Sequence, residues 1–197
     1  MKALLAWLSS LAWHRERVAT FWMDTAEAPL HPGMERSPDG WRLRAVTGPG
    51  ELDADALFGN GELAEEFRRF LGQGHLVFLG EVSGRPVFYG KARTGPRRVS
   101  LWQGALWTSL GATDAVIEYF NVHPDVLYRG IYPLALRDIV NLLRDRSGIR
   151  RIVCATRTSN RASFNGVVGY GFRVSQETTV LRILGLNLSG GEARWPA

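Results

Sequence analysis

The sequence predicts a single α/β domain, a mixed central sheet of about six to seven strands flanked by helices, and three observations support it. Apolar runs with strand spacing and runs with helical spacing follow one another from Trp41 to the C-terminus. The chain's 197 residues, 45% hydrophobic and 22% charged, are enough to bury one core without covalent staples. Its single cysteine, Cys154, can form no internal disulfide and stands in an apolar run, so it reads as a buried thiol of a reducing, cytoplasmic compartment.

Residues 1–40 read as an N-terminal extension of helix and loop packed on the domain, and residues 41–197 as the domain itself. Within 1–13, Leu4, Trp7, Leu8 and Leu11 share a helical face, which packs on the domain or rests peripherally on a membrane surface. The segment imitates a short signal-peptide core, but no small-residue cleavage site follows it, and no apolar run reaches the about 18 residues needed to span a bilayer. Residues 18–23 are rich in aromatic and branched side chains and fit a strand or more helix. Pro29, Pro32, Gly33, Pro38 and Gly40 mark a loop.

A strand follows at 41–46, then helical material over 52–71 broken near Gly59-Asn60-Gly61. Runs at 75–82 and 86–92, joined by Ser83-Gly84-Arg85, predict a hairpin, and 99–110 adds a further strand. Residues 115–122 form a strand and 130–146 a helix whose apolar face includes Ile131, Leu134, Ala135, Ile139, Leu142 and Leu143, with Gly148 as its stop. A strand at 152–156, a short helix at 160–168 and a last strand at 179–186 complete the order.

The net charge of +5 attracts polyanions in general, but the arginines are scattered and form no basic tail, so a solvated surface is preferred to nucleic-acid binding. Strand, turn and helix over 115–146 bring backbone N–H groups and a helix N-terminus to one point, a receptor for a pyrophosphate. Gly130 permits close approach at that turn, and Pro133 suits the first turn of the helix.

The run Val122-His123-Pro124-Asp125-Val126-Leu127-Tyr128-Arg129-Gly130-Ile131 resembles the GNAT acyltransferase signature, V-x-P followed by a Q/R-x-x-G-x-G/A turn. Asn160, Ser163 and Gly171-Phe172 resemble the same superfamily's N-x-x-A/S…G-F segment at its usual separation. The resemblance covers 115–186 and extends to earlier residues only through the order of elements. It implies a GNAT-like fold and an N-acyltransferase, most simply an N-acetyltransferase, with acetyl-CoA or another acyl-CoA as donor. It further implies that backbone groups of Phe120 and Val122 pair with the pantetheine arm, that Tyr128, Arg129, Gly130, Ile131 and Tyr132 meet the pyrophosphate, and that Asn160 and Phe164 border the pantetheine and thioester. Two positions depart from the pattern: Leu127 stands at the first Q/R position and Tyr132 at the final small one.

For catalysis, alternation places Glu118 on the face of Phe120 and Val122, as candidate base, against the reading of a carboxylate paired with an arginine. His123 is a weaker choice. The superfamily's acid, a tyrosine seven residues after the asparagine, is replaced here by Val167, which leaves Tyr170 as the candidate phenol, with a core role as its alternative. No metal site is expected. The acceptor expected from that resemblance is a small-molecule amine or amino sugar, against which Trp41, Trp102 and Trp107 could stack if they are not core rings. Three alternatives stay open: an acyl carrier protein as donor, docked on Arg68, Arg69, Arg97 and Arg98; a long-chain acyl donor; and a decayed scaffold that binds without turnover. A homodimer is compatible with the sequence.

Overall fold

Asparagine and glycine set the helix boundaries, and the sheet grows between them. The computed structural model describes residues 14–28, 38–52, 55–126, 130–183 and 186–195. The helix expected over 1–13 lies outside them. Strands are β1 (His14–Asp24), β2 (Trp41–Val46), β3 (Leu76–Val82), β4 (Arg85–Thr94), β5 (Arg97–Trp102), β6 (Leu106–Leu110), β7 (Asp114–Val122), β8 (Arg151–Arg157), β9 (Arg173–Ile183), β10 (Leu186–Asn187) and β11 (Gly191–Glu192). Helices are α1 (Gly61–Gly72), α2 (Ile131–Ser147) and α3 (Arg161–Gly169). The Asn60 side chain accepts from the Leu63 N–H at 3.0 Å and the Asn160 side chain from the Ser163 N–H at 3.2 Å, so each caps its helix. Gly148, at φ 61°, takes the left-handed conformation that ends α2.

Eight strands form one mixed sheet in the order β10-β9-β1-β8-β7-β4-β3-β2, and β5, β6 and β11 form a smaller one. All pairs in the large sheet are antiparallel except β7 with β8. On one face, α2 and α3 cover a core that includes Phe21, Phe88, Ile117, Leu136 and Ile139. On the other, α1 covers β3 and β4 through Leu63, Phe67 and Leu71 against Val77 and Leu79. The small sheet covers the remaining part through Val99, Leu101 and Leu106 on Val18, Val116 and Val153.

Four expectations change. The sheet starts upstream of Trp41, because β1 lies inside it, paired with β8 over Val18–Asp24 and with β9 over His14–Trp22. Val18, Ala19 and Phe21 are fully buried there, so the branched and aromatic run is a strand and not more helix. Residues 99–110 fold as the hairpin β5-β6 turning at Gln103 and Gly104, both at positive φ. Among the described residues of 52–71 there is one α-helix, α1, after a short 3-10 turn at Asp55–Leu57. The last long strand starts earlier than expected, at Arg173. Among the described residues, no helix is long and apolar enough to cross a membrane.

Because Phe21 is buried in the middle of the sheet, Phe21→Ala should lower stability by about 3–5 kcal/mol in urea unfolding. A loss below about 1 kcal/mol would contradict the central placement of β1.

Candidate functional site

The site begins where a ladder stops. Strands β7 and β8 pair in parallel only at Asp114↔Arg151, Ala115↔Ile152 and Val116↔Val153. Arg151 fixes that end with two hydrogen bonds to the buried Asp114 carboxylate, at 2.7 and 3.1 Å, and the Gly111 N–H adds another at 2.7 Å. Beyond Val116 each strand follows its outer neighbour, β7 staying with β4 as far as Val122 and β8 with β1 as far as Arg157. The strands part into a wedge.

Two connected cavities fill the opening. A groove of about 420 Å³ is lined by Phe120, Asn121, Val122, Val126, Gly130, Ile131, Tyr132, Pro133, the capping Asn160 and the α3 residues Ala162, Ser163 and Gly166. A chamber of about 190 Å³ adjoins it, between Ile117, Glu118, Tyr119 and Phe120 on one wall and Cys154, Ala155 and Thr156 on the other, with Val167 beside them. Phe120, Tyr132, Asn160 and Ser163 belong to both.

A bulge shapes the chamber wall. Tyr119 has φ 63°, and the β4–β7 register slips between Tyr89 and Lys91, so β7 carries one extra residue there. Opposite it, a Cβ on Gly90 would come within 2.6 Å of the Phe120 ring, which is why glycine occupies that position. The bulge also reverses simple alternation. Phe120 and Val122 join Ile117 on the face of α2, whereas Glu118 turns to the face of α1. There its Oε1 accepts from Arg93 Nε at 2.9 Å and lies 3.9 Å from Lys91 Nζ. Glu118 is thus one of the chamber's lining residues, on the opposite face to the one alternation assigns and as a paired carboxylate.

Tyr170 does not reach the site. Its ring is 2% exposed within the core under α2, and its hydroxyl finds no hydrogen-bond partner among the described residues. Burial raises its pKa to about 12. It is a core residue, because Gly171 follows it at φ 108° and turns the chain back into β9. Phe164 is also displaced from its expected role: its ring meets Phe21 edge-on at 5.2 Å and lines neither cavity. His123 packs edge-on against Phe58 at 4.8 Å, as a loop residue does.

Gly130 holds φ 75° as the cap of α2 and lines the groove with Ile131, so glycine is needed at that turn. Tyr128 and Arg129 lie outside the described residues, as does Leu127. The Tyr132 ring lies between α2 and α3, edge-on to Phe120 at 5.8 Å. A Cβ on Gly166 would come within 2.9 Å of that ring, so the glycine of α3 makes room for the bulky residue at the start of α2. Burial and the neighbouring Cys154 push the Tyr132 phenol above its ordinary range, opposed by a hydrogen bond with Ser163. Burial likewise pushes the Cys154 thiol up, which keeps it protonated and a poor nucleophile.

Sequence reasoning missed the cluster behind Glu118. Lys91 is enclosed by the rings of Phe67, Phe70 and Tyr119, with its Nζ 5.4, 4.9 and 4.9 Å from their centroids, and it donates to Glu66 at 2.9 Å. A lysine between apolar strand residues was the one available signal.

No family model and no curated protein sequence matches the chain. Solved structures do match it. A GNAT-family acetyltransferase from Colwellia psychrerythraea aligns with TM-score 0.57 and 12% identity, over 92% of this chain and 60% of that one. A glucosamine N-acetyltransferase region of a fungal multi-domain GH3 β-N-acetylglucosaminidase aligns with TM-score 0.61 and 13% identity, over 90% and 22%. A tandem GNAT protein of the clavulanic acid biosynthesis pathway aligns with TM-score 0.57 and 15% identity, over 94% and 60%. The chain therefore spans at most 60% of the length of these three. At such identities the likeness shows the fold, and the fold is GNAT-like.

His75, next to the Lys91 cluster, makes the packing of this face testable. It is buried against Phe70 at 4.5 Å and accepts from Arg97 at 3.0 Å; burial first, then Arg97, Arg93 and Lys91, lower its pKa from 6.5 to about 4. Between those values the unfolded chain takes up a proton that the folded chain refuses, so stability is complete above pH 6.5 and falls towards pH 4. Urea midpoints measured across that range should fall in the wild type and fall less in His75→Gln. Parallel curves would refute the assignment.

Proposed function

We propose that the chain is an N-acyltransferase that moves an acyl group from a coenzyme A thioester to a primary amine of a small molecule or amino sugar. The observation that carries this reading is the wedge between β7 and β8, which leaves a length of strand backbone unpaired beside a helix N-terminus.

An extended pantetheine arm suits that unpaired strand, because its amides can join backbone groups of Phe120 and Val122 as an added strand would. The first N–H groups of α2, at Ile131 and Tyr132, have no partner within the helix, and with the helix dipole they suit a pyrophosphate. Gly130 keeps side-chain bulk away from that end, and the Tyr132 ring is turned between the helices, clear of its own N–H. Bound there, a coenzyme A thioester supplies an activated acyl carbonyl.

The protein's own groups perform the remaining work. Glu118, at the chamber wall, takes the proton that the incoming ammonium must lose before its nitrogen can attack. The bulge at Tyr119 disturbs the ladder next to the chamber and leaves backbone there free to meet a developing negative charge. Ile117, Cys154 and Val167 give the chamber an apolar floor that limits access of water. The Tyr132 phenol, kept neutral by burial, is a donor beside the position of the leaving sulfur.

Calorimetry with acetyl-CoA, followed by a thiol-release assay with a panel of small amines and amino sugars, tests the reading. Gly130→Val, which forces a branched residue into φ 75°, should abolish binding of the donor. Glu118→Gln should bind it normally and lower kcat by roughly a hundredfold. Binding without thiol release on any amine would favour a decayed scaffold, and no binding by the folded wild type would remove the reading altogether.

A further inference from the structure

Of the chain's 24 lysines and arginines only Lys2 and Lys91 are lysines. Wherever the described surface needs positive charge it uses arginine; the one lysine among the described residues is buried beside the candidate base. An amine can release and recover a proton, whereas a guanidinium cannot do so in a protein. The Lys91 side chain is 8% exposed and stands between two carboxylates of unequal exposure: Glu118, 21% exposed and one of the chamber's lining residues, and Glu66, 48% exposed on α1. The rings of Phe67, Phe70 and Tyr119 around its Nζ leave little room for a chain of waters. The other charged or titratable groups facing this cluster are Arg93 of β4, Arg97 of β5 and His75 before β3.

We infer that Glu118, Lys91 and Glu66 form a path by which the proton released from the acceptor amine leaves the chamber. The inference rests on the proposed acyl transfer. Glu118 accepts the proton from the acceptor nitrogen; Lys91 gives a proton from Nζ to Glu66 and takes the one on Glu118; Glu66 releases its proton to water. One proton thus passes from the acceptor to solvent, Lys91 ends as the ammonium it began as, and no electrons change hands. The 2.9 Å step to Glu66 is a formed hydrogen bond. The 3.9 Å step to Glu118 is the longer one, of the kind that tightens when a substrate fills a site. Arg93, although nearer to Glu118, holds the carboxylate in place and relays nothing.

Lys91→Arg separates relay from charge, and Glu66→Gln, at a half-exposed position, tests the far end with little risk to folding. Both variants, checked for a native circular dichroism spectrum and for acetyl-CoA affinity, should bind the donor like the wild type. For Lys91→Arg, kcat should fall by roughly tenfold to a hundredfold and recover with rising concentrations of trimethylamine, a tertiary amine that yields no stable amide. Glu66→Gln should show a smaller loss with the same recovery. Wild-type kcat in Lys91→Arg would overturn the path, as would a loss in both variants that trimethylamine leaves unchanged. Intact-mass detection of an acyl group on Lys91 in the wild type would also overturn it, by making the amine an acceptor. Absence of thiol release in the wild type itself would instead remove the acyl-transfer reading, and the path with it.

Discussion

The structure depends on two parallel strands that are held together at one end and parted at the other. Asp114 and Arg151 provide the hold through a two-bonded ion pair whose carboxylate is buried and also accepts from the Gly111 N–H. Removing one partner of such a pair strands the other, at a cost of about 3–5 kcal/mol. Two residues later the ladder ends, and unpaired strand backbone inside a domain must find other partners or water. A wedge of this kind therefore demands a ligand, a solvent-filled groove or both. Everything assigned to the site follows from which side chains border that opening.

Keeping the rest of the sheet closed while its centre parts requires support on both sides. On one side β7 is tied to β4 and β3, with α1 behind them. On the other, β8 is tied to β1 and β9, with the small sheet behind. Strand β1 borders β8, so the first described strand supports the wall of a site whose recognisable motifs lie about a hundred residues later. The two helices α2 and α3 then bridge the halves, and the Tyr132 ring, accommodated by Gly166, joins them across the groove.

Much of this was legible in the sequence from Ala115 onward, because Gly130, Gly148 and Asn160 act locally: a left-handed turn, a helix stop and a helix cap need only their own neighbours. Strand β1 was not legible as a strand, since both of its faces are buried in the middle of the sheet and periodicity alone cannot separate such a run from helix. The face of Glu118 was misread for a different reason. Alternation holds only while the ladder is regular, and the extra residue at Tyr119 exists because Gly90, on another strand, admits the Phe120 ring. Tyr170 and Phe164 carried the right chemistry at plausible spacing, yet their direction is set by the core under α2 and by Phe21, neither of which a local motif reports. The Lys91 cluster is assembled from α1, β4 and β7, so no stretch of sequence contains it.

The two faces of the wedge thus have different characters, an apolar and helix-capped groove on the side of α2 and a charged, aromatic-enclosed cluster on the side of α1. The proposed division of labour sets the donor on the first and proton traffic on the second. The proposed seat of the donor is the unpaired edge of β7, and backbone hydrogen exchange with and without coenzyme A reads its occupancy. With the donor bound there, protection should rise at residues 118–122 and at Ile131 and Tyr132, with little change in β3 and β9. Protection that rises elsewhere while residues 118–122 exchange as before would contradict it.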